Sequence, residues 1–253
     1  MENKKFIITE ENVKEYSKKI GEWIKDYIKK SNSNGVVLGM SGGVDCSTVA
    51  ALCIKNNINV HLILLPYGDD FKNSKSYQDA MELINKFNIK YEIFDIKPAV
   101  DSLLIKNTNK EENLLRLARS NIRPRVRMTY LYQYAQLNNL LVIGTGNLSE
   151  RTVGYFTKWG DGASDLNPMG MITKKEVYIM AKNLGVPDCI INKKPSADLW
   201  EGQTDEDELG IKYSQIDEYI LNGTTGNKII DETIFSKNKK IIHKLEPITI
   251  FND

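Results

Sequence analysis

The sequence predicts an α/β protein built on an open, mainly parallel sheet, with helices on both faces and a helical C-terminal extension. Three observations carry that expectation. Short apolar runs at 36–38, 60–65, 91–94 and 140–143 alternate with longer stretches of helical spacing. Two of those runs end in glycine-containing stretches, 39–46 and 144–150, at predicted strand carboxyl ends, where sheets of this kind bind ligands. The first of these stretches, Gly39-Met40-Ser41-Gly42-Gly43-Val44-Asp45-Cys46-Ser47, then opens an apolar-rich helix.

The elements follow in order. Val13, Tyr16, Ile20, Trp23, Ile24 and Ile28 fall close to helical spacing and predict an amphipathic helix over about 10–30. Gly35 closes a Ser/Asn-rich turn and opens the first strand. The helix after the glycine loop runs from Thr48 to about Asn56. Val60 to Leu65 is a second strand, stopped by Pro66-Tyr67-Gly68. Met81, Leu83, Ile84 and Phe87 mark a helix over 76–87, and Tyr91 to Phe94 a short strand. Helices near 97–106 and 111–138 come next, the second interrupted around Pro124. Leu140 to Ile143 is the last strand. After a Gly/Asp-rich loop over 157–172, Thr173-Lys174-Lys175-Glu176 is a capping box that opens a helix to Leu184, stopped by Gly185 and Pro187. Residues 192–210 predict a long mobile loop with an acidic cluster at 205–208, and helices near 213–222 and 227–243 close the chain. The whole reads as a single domain over 1–253, with its nucleotide-binding core at about 35–190.

Composition narrows the class. A chain of 253 residues, 41% hydrophobic, is long enough to bury a sizeable core. Lys and Arg total 34 against 33 Asp and Glu, so charge gives no argument for a nucleic-acid or membrane partner. No apolar run approaches the roughly 20 residues that span a bilayer. Cys46, Cys53 and Cys189 are odd in number and have no C-x-x-C spacing, which fits a reducing cytoplasm and argues against disulfides or a zinc site.

The glycine loop is the chemical centre of the sequence. Gly42 and Gly43 lack Cβ atoms, so backbone N–H groups can close around an anion, and the following helix adds its own unpaired N–H groups and the positive end of its dipole. Ser41 offers a hydroxyl donor and Asp45 a carboxylate for Mg²⁺. The loop lacks the Lys-Ser/Thr ending of the common NTPase phosphate loop. It resembles instead the pyrophosphate loop of the N-type ATP pyrophosphatases, with their adenine nucleotide alpha hydrolase-like fold.

Further motifs sharpen the resemblance. PRVRM at 124–128, GTGNLSE at 144–150, FTKWGDGASDLNP at 156–168 and KKPSADLWEGQTDEDELG at 193–210 follow in series, and His243-Lys244 ends it. Together these resemble ammonia-dependent NAD⁺ synthetases over nearly the whole length. That family joins ammonia to deamido-NAD⁺ through an acyl adenylate and releases AMP and pyrophosphate. Only 38 residues precede the loop, too few for an amidase domain, so the resemblance implies free ammonia as nitrogen donor. It also implies a cytoplasmic homodimer with small-molecule substrates, ATP as co-substrate and two Mg²⁺ ions.

The resemblance assigns residues as well. Asp45 and Glu150 are the implied metal ligands. The loop from Gly39 to Ser47, Thr145, Lys174 and Ser196 are implied for ATP, and Arg125, Lys158, Asp165, His243 and Lys244 for deamido-NAD⁺. Asp161, between Gly160 and Gly162, is a candidate for handling ammonium. Lys174 occupies the first turn of a helix, where a cation is mildly unfavourable to the dipole, and a phosphate partner would explain it. Many relatives carry Ser where this chain has Cys46, and Arg where it has Leu64, so two nucleotide contacts differ here. A tRNA-thiolating relative would require paired cysteines and a basic face, and a nucleotide sensor without catalysis would not need both Asp45 and Glu150.

Overall fold

The computed structural model describes residues 4–105, 109–195 and 204–251. Its centre is a four-stranded parallel sheet: β1 Val36–Gly39, β2 Val60–Leu64, β3 Tyr91–Ile93 and β4 Leu141–Val142, in the order β3-β2-β1-β4. Val36 pairs with Val60 on one side and with Leu141 on the other. The chain therefore builds outward from β1 in one direction and then returns to its other side for β4. That reversal is the topological switch point, where crossover loops diverge and leave a crevice. Both glycine-containing stretches of the sequence leave the sheet at this crevice.

Strand residues alternate between two hydrophobic clusters, as the period of two requires. Val36, Leu38, Leu62 and Leu64 face a core shared with α1 (Val13–Lys30), α2 (Val44–Lys55), α3 (Lys75–Phe87) and α8 (Lys174–Leu184). Val37 and Ile63 face the opposite cluster, built with α4 (Lys97–Ser102) and α6 (Ile122–Asn138). Helices therefore cover both faces, as the apolar runs required. A third cluster joins α7 (Leu148–Val153) to α11 (Tyr213–Asn222) and α12 (Lys228–Lys240). The remaining helices are short or peripheral: α5 (Glu112–Ser120), α9 (Asp188–Ile191), α10 (Asp205–Leu209) and α13 (Ile242–Leu245). Among the described residues, no helix is long and apolar enough to cross a membrane.

Several boundaries differ from expectation for physical reasons, and part of the loop expected over 192–210 is helical, since the Thr204 hydroxyl caps α10 by accepting from the Asp207 N–H at 3.2 Å. α2 begins at Val44, four residues before the predicted Thr48, because Gly43 in extended backbone is its N-cap. That shift places Asp45 inside the first helical turn. The break in 111–138 falls at Asn121, not at Pro124. Pro124 lies in the first turn of α6, where its missing N–H has no intrahelical partner to lose. α4 stops at Ser102, and Leu103 and Ile105 beyond it are exposed, with no core to hold another turn.

Gly42 is the tightest point of the frame. Its φ is +79°, and a Cβ there would lie 2.1 Å from the carbonyl oxygen of Ser76 in α3. The loop after β1 is thus wedged against α3 backbone. Gly42→Ala combines left-handed strain with a backbone clash and is expected to cost about 2–4 kcal/mol. Urea unfolding checks this; an unchanged midpoint would show that α3 yields without cost.

Candidate active site

Three charged side chains from three helices meet at the crevice between β1 and β4. Asp45 stands in the first turn of α2, where the helix dipole favours a carboxylate. Glu150 stands at the third position of α7 and Lys174 at the first position of α8. The Lys174 Nζ lies 2.7 Å from Asp45 Oδ2 and 3.1 Å from Glu150 Oε1. It also sits 4.8 Å from the centre of the Tyr213 ring, and its side chain is only 4% exposed. At that burial the ammonium is stable only because both carboxylates and the ring face surround it.

Asn147 organises the acidic pair. As N-cap of α7, its Oδ1 accepts from the Glu150 N–H at 3.0 Å, and its own N–H donates to Glu150 Oε2 at 3.2 Å. Its Nδ2 also donates to Asp45 Oδ1 at 2.8 Å. One residue therefore holds both carboxylates at the oxygens that Lys174 does not use, Asp45 through its side-chain amide and Glu150 through its backbone N–H. The N-terminus of α8 is held from below by Asp217 of α11. Asp217 accepts from the Lys175 N–H at 2.8 Å and from the Ser149 hydroxyl, which itself accepts from the Lys174 N–H at 2.8 Å.

Burial pushes the Glu150 carboxyl up to about 7, against the opposing pull of Lys174. Burial disfavours the Lys174 charge, yet Asp45 and Glu150 together lift it well above the usual lysine value. The three groups thus stand as one ion cluster. Within the fold, the first-turn Lys174 is matched by this acidic pair.

Two fixed carboxylates converging on one ammonium also suit a hard divalent cation. Among the described residues no group of three or more His, Cys, Asp or Glu side chains is placed so that it could hold such an ion. Two carboxylates match Mg²⁺, which usually completes its shell with water and substrate phosphates.

The other loop residues divide by burial. Val44, Cys46 and Ser47 are buried, so their side chains do not line the loop's outer surface. The Cys46 thiol turns inward, 3.2 Å from the Gly43 carbonyl and 3.5 Å from the Met40 sulfur. Ser47 is not brought to the site, because its N–H donates to Gly43 O at 3.2 Å and its side chain is fully buried. Ser41 is exposed at the rim, and Thr145 is half-buried between β4 and α7. Ser196 lies outside the described residues.

The residues expected to meet the second substrate form a separate group beyond α7. Arg125 Nε donates to the Lys158 carbonyl at 3.3 Å, and Lys158 Nζ donates to the His243 carbonyl. Lys244 Nζ donates to the carbonyls of Gly154 at 2.9 Å and Phe156 at 2.8 Å. Asp161 closes the same turn by accepting from the Thr157 N–H at 3.0 Å. Surrounding protein raises its carboxyl above the ordinary range, with Lys244 pulling the other way. Asp165 is tied into the fold, accepting from the Val142 N–H at 2.7 Å and the Tyr132 hydroxyl at 3.3 Å.

Asn147, Tyr213, Asp217 and Trp159 escaped the sequence reading. Asn147 was visible as the residue after Gly144-Thr145-Gly146, three before Glu150, which is a capping-box spacing. Tyr213 and Asp217 lie more than 35 positions from Lys174 and carry no local signal. Trp159 is 54% exposed in left-handed backbone at φ +60°, with the Lys158 ammonium 5.4 Å from its ring. A bulky residue held there is an outlier of the kind found at ligand sites.

A parallel sheet with an anion-cradling loop at its switch point and an acidic pair beside it defines a nucleotide-binding α/β enzyme. Residues 16–248 match the model of one family, NAD synthase, and the chain belongs to that family. It is 43% identical over 223 residues to the NH(3)-dependent NAD(+) synthetase of Carboxydothermus hydrogenoformans, covering 87% of this chain and 90% of that one. Among solved structures, an NMN synthetase from Francisella tularensis superposes with a TM-score of 0.86 at 37% identity, covering 95% of this chain and 99% of that one. The NH3-dependent NAD synthetase of Campylobacter jejuni, in complex with the nitrate ion, gives 0.76 at 31%, again covering 95% and 99%.

Asn147→Ala removes the α7 helix cap and the side-chain partner of Asp45 Oδ1, while the backbone N–H to Glu150 remains. It is expected to lower stability by about 1–3 kcal/mol in chemical unfolding. A loss near zero would show that Lys174 and the backbone of residue 147 position the acidic pair without the asparagine side chain.

Proposed function

We propose that this chain catalyses ATP-dependent amidation of the nicotinate carboxylate of deamido-NAD⁺ by ammonia, forming NAD⁺, AMP and pyrophosphate. The observation that carries this reading is the meeting of the phosphate loop with Asp45, Glu150 and Lys174 at the switch point, in a chain of the NAD synthase family. The nicotinate carboxylate attacks the α-phosphorus of ATP, and pyrophosphate leaves. Ammonia then attacks the acyl carbon, AMP leaves, and the proton shed by nitrogen passes to a nearby base.

The chain's own groups divide this work. Backbone N–H groups of Gly42, Gly43 and the first turn of α2 receive the phosphates. Asp45 and Glu150 hold magnesium, which when bound neutralises charge on the departing pyrophosphate. Lys174 stands beside them as a second cation for the polyphosphate, and Thr145 and Ser196 complete the ATP site. Arg125, Lys158, His243 and Lys244 receive the acceptor nucleotide, with Asp165 fixing the strand beneath it. Trp159 offers a ring face for stacking. Asp161, its carboxyl raised by surrounding protein, receives the proton from ammonium.

A second acceptor follows from one comparison. The superposition of 0.86 is on an NMN synthetase, which favours nicotinate mononucleotide, the same carboxylate without the adenylate half. The reacting groups are identical in the two readings, and only the remote half of the acceptor differs. The chain also acts as a homodimer in this proposal. Leu114 and Leu117 of α5, each 56% exposed, and Leu137 of α6, 79% exposed, offer the apolar surface for it.

Purified protein with ATP, Mg²⁺ and ammonium is expected to form AMP, pyrophosphate and amidated product in equal amounts from either deamido-NAD⁺ or nicotinate mononucleotide. The ratio of kcat/KM for the two acceptors decides between the readings, and ATP cleavage with neither would sink both. Asp45→Asn is expected to lower kcat roughly a hundredfold or more. Light scattering after size exclusion should give twice the 28.8 kDa chain mass, and a monomer under assay conditions would remove the dimer from the proposal.

A further inference from the structure

We infer that Lys174 is a built-in counter-cation of the Asp45–Glu150 pair, so that the pair takes up a divalent cation only together with a nucleotide polyphosphate. The inference rests on the reading of these two carboxylates as the metal ligands of the ATP site. Its starting point is position. The Lys174 Nζ lies 2.7 Å and 3.1 Å from one oxygen of each carboxylate. The remaining oxygens, Asp45 Oδ1 and Glu150 Oε2, are held by Asn147. Neither carboxylate is therefore free to turn away and offer its second oxygen elsewhere.

An ammonium and a divalent cation cannot share that place. Like charges a few ångströms apart in a buried site repel strongly, far more than in water. A bare cation arriving from solvent would have to expel Lys174, which is 4% exposed and packed on the Tyr213 ring at 4.8 Å. It would gain only two carboxylate ligands in return. A nucleotide changes the balance from both sides. Its phosphate oxygens add ligands to the metal, and they give the displaced ammonium a new anionic partner. Lys174 is suited to that exchange, since its backbone is fixed at the N-terminus of α8 while its four-carbon stem rotates. The same lysine thus keeps two carboxylates together before ATP arrives and follows the polyphosphate once it has. Metal and nucleotide then enter as a unit, and the free metal concentration alone does not load the site.

Titration of the full chain with Mn²⁺, following free Mn²⁺ by electron paramagnetic resonance, tests this. Each protein is measured with and without α,β-methylene ATP, which lacks the cleavable bond. Wild type is expected to bind Mn²⁺ about tenfold or more weakly without the nucleotide. Lys174→Met is expected to gain about tenfold in nucleotide-free affinity, and the double variant Asp45→Asn/Lys174→Met to lose that gain. Lys174→Arg keeps a cation in place and should show no gain in nucleotide-free Mn²⁺ affinity. Equal nucleotide-free affinity in wild type and Lys174→Met would overturn the inference. So would equal affinity of wild type with and without nucleotide, which decides the matter should Lys174→Met fail to fold. Absence of any Mn²⁺ binding to wild type with nucleotide would instead overturn the metal reading of the pair.

Discussion

The buried ion cluster of Lys174, Asp45 and Glu150 is the constraint around which the rest of the molecule is arranged. Three charges at the end of a parallel sheet are costly to remove from water unless each is matched by its neighbours. Every element at the crevice contributes to that matching. α2 brings Asp45 to a favourable helix end, α7 brings Glu150 and its cap Asn147, and α8 brings the lysine. α11 supplies both the Tyr213 ring face and Asp217, which fixes the start of α8. Loss of any one group leaves a charge buried without its partner.

The sheet explains why these helices meet at all. The order β3-β2-β1-β4 makes β1 and β4 neighbours, so that Val36 pairs with Leu141, 105 positions later in the chain (141 − 36). Loops leaving adjacent parallel strands in opposite directions open a crevice that neither loop could form alone. The tight seating of Gly42 on the Ser76 carbonyl then fixes the phosphate loop from the α3 side. Rigid support on both sides of the loop is what allows anion-binding N–H groups to stand ready.

The group around Lys158 and Lys244, proposed to receive the acceptor, is built on different principles. Lys158, Lys244 and Arg125 are held through backbone carbonyls, among them that of Gly154 at the C-cap of α7 and that of His243 in α13. Lys244, near the C-terminal end of the described chain, binds the carbonyls of Gly154 and Phe156 and so ties the last helix to the loop that carries Lys158 and Asp161. Under the proposed function, recognition of the acceptor is therefore coupled to the C-terminal extension, while phosphate chemistry is coupled to the sheet.

Most of the strands, the phosphate loop and the capping box at Thr173 were legible in the sequence, because each rests on contacts between residues close in the chain. Period-two apolar runs, a pair of glycines before a helix and a Thr–Glu cap are local signals. The same holds for Asp45 and Glu150, whose motifs mark them without reference to the rest of the fold. The extent of α2 and the break at Asn121 were less legible, since caps and packing shift helix ends by several residues. What the sequence could not specify is how these groups meet. Asp45 and Lys174 lie 129 positions apart, and Ser149 and Asp217 lie 68 apart. No local pattern encodes such pairs. Only the strand order and the packing of α7, α8 and α11 decide that a first-turn lysine faces two carboxylates, since long-range electrostatic matching exists only once the chain has folded.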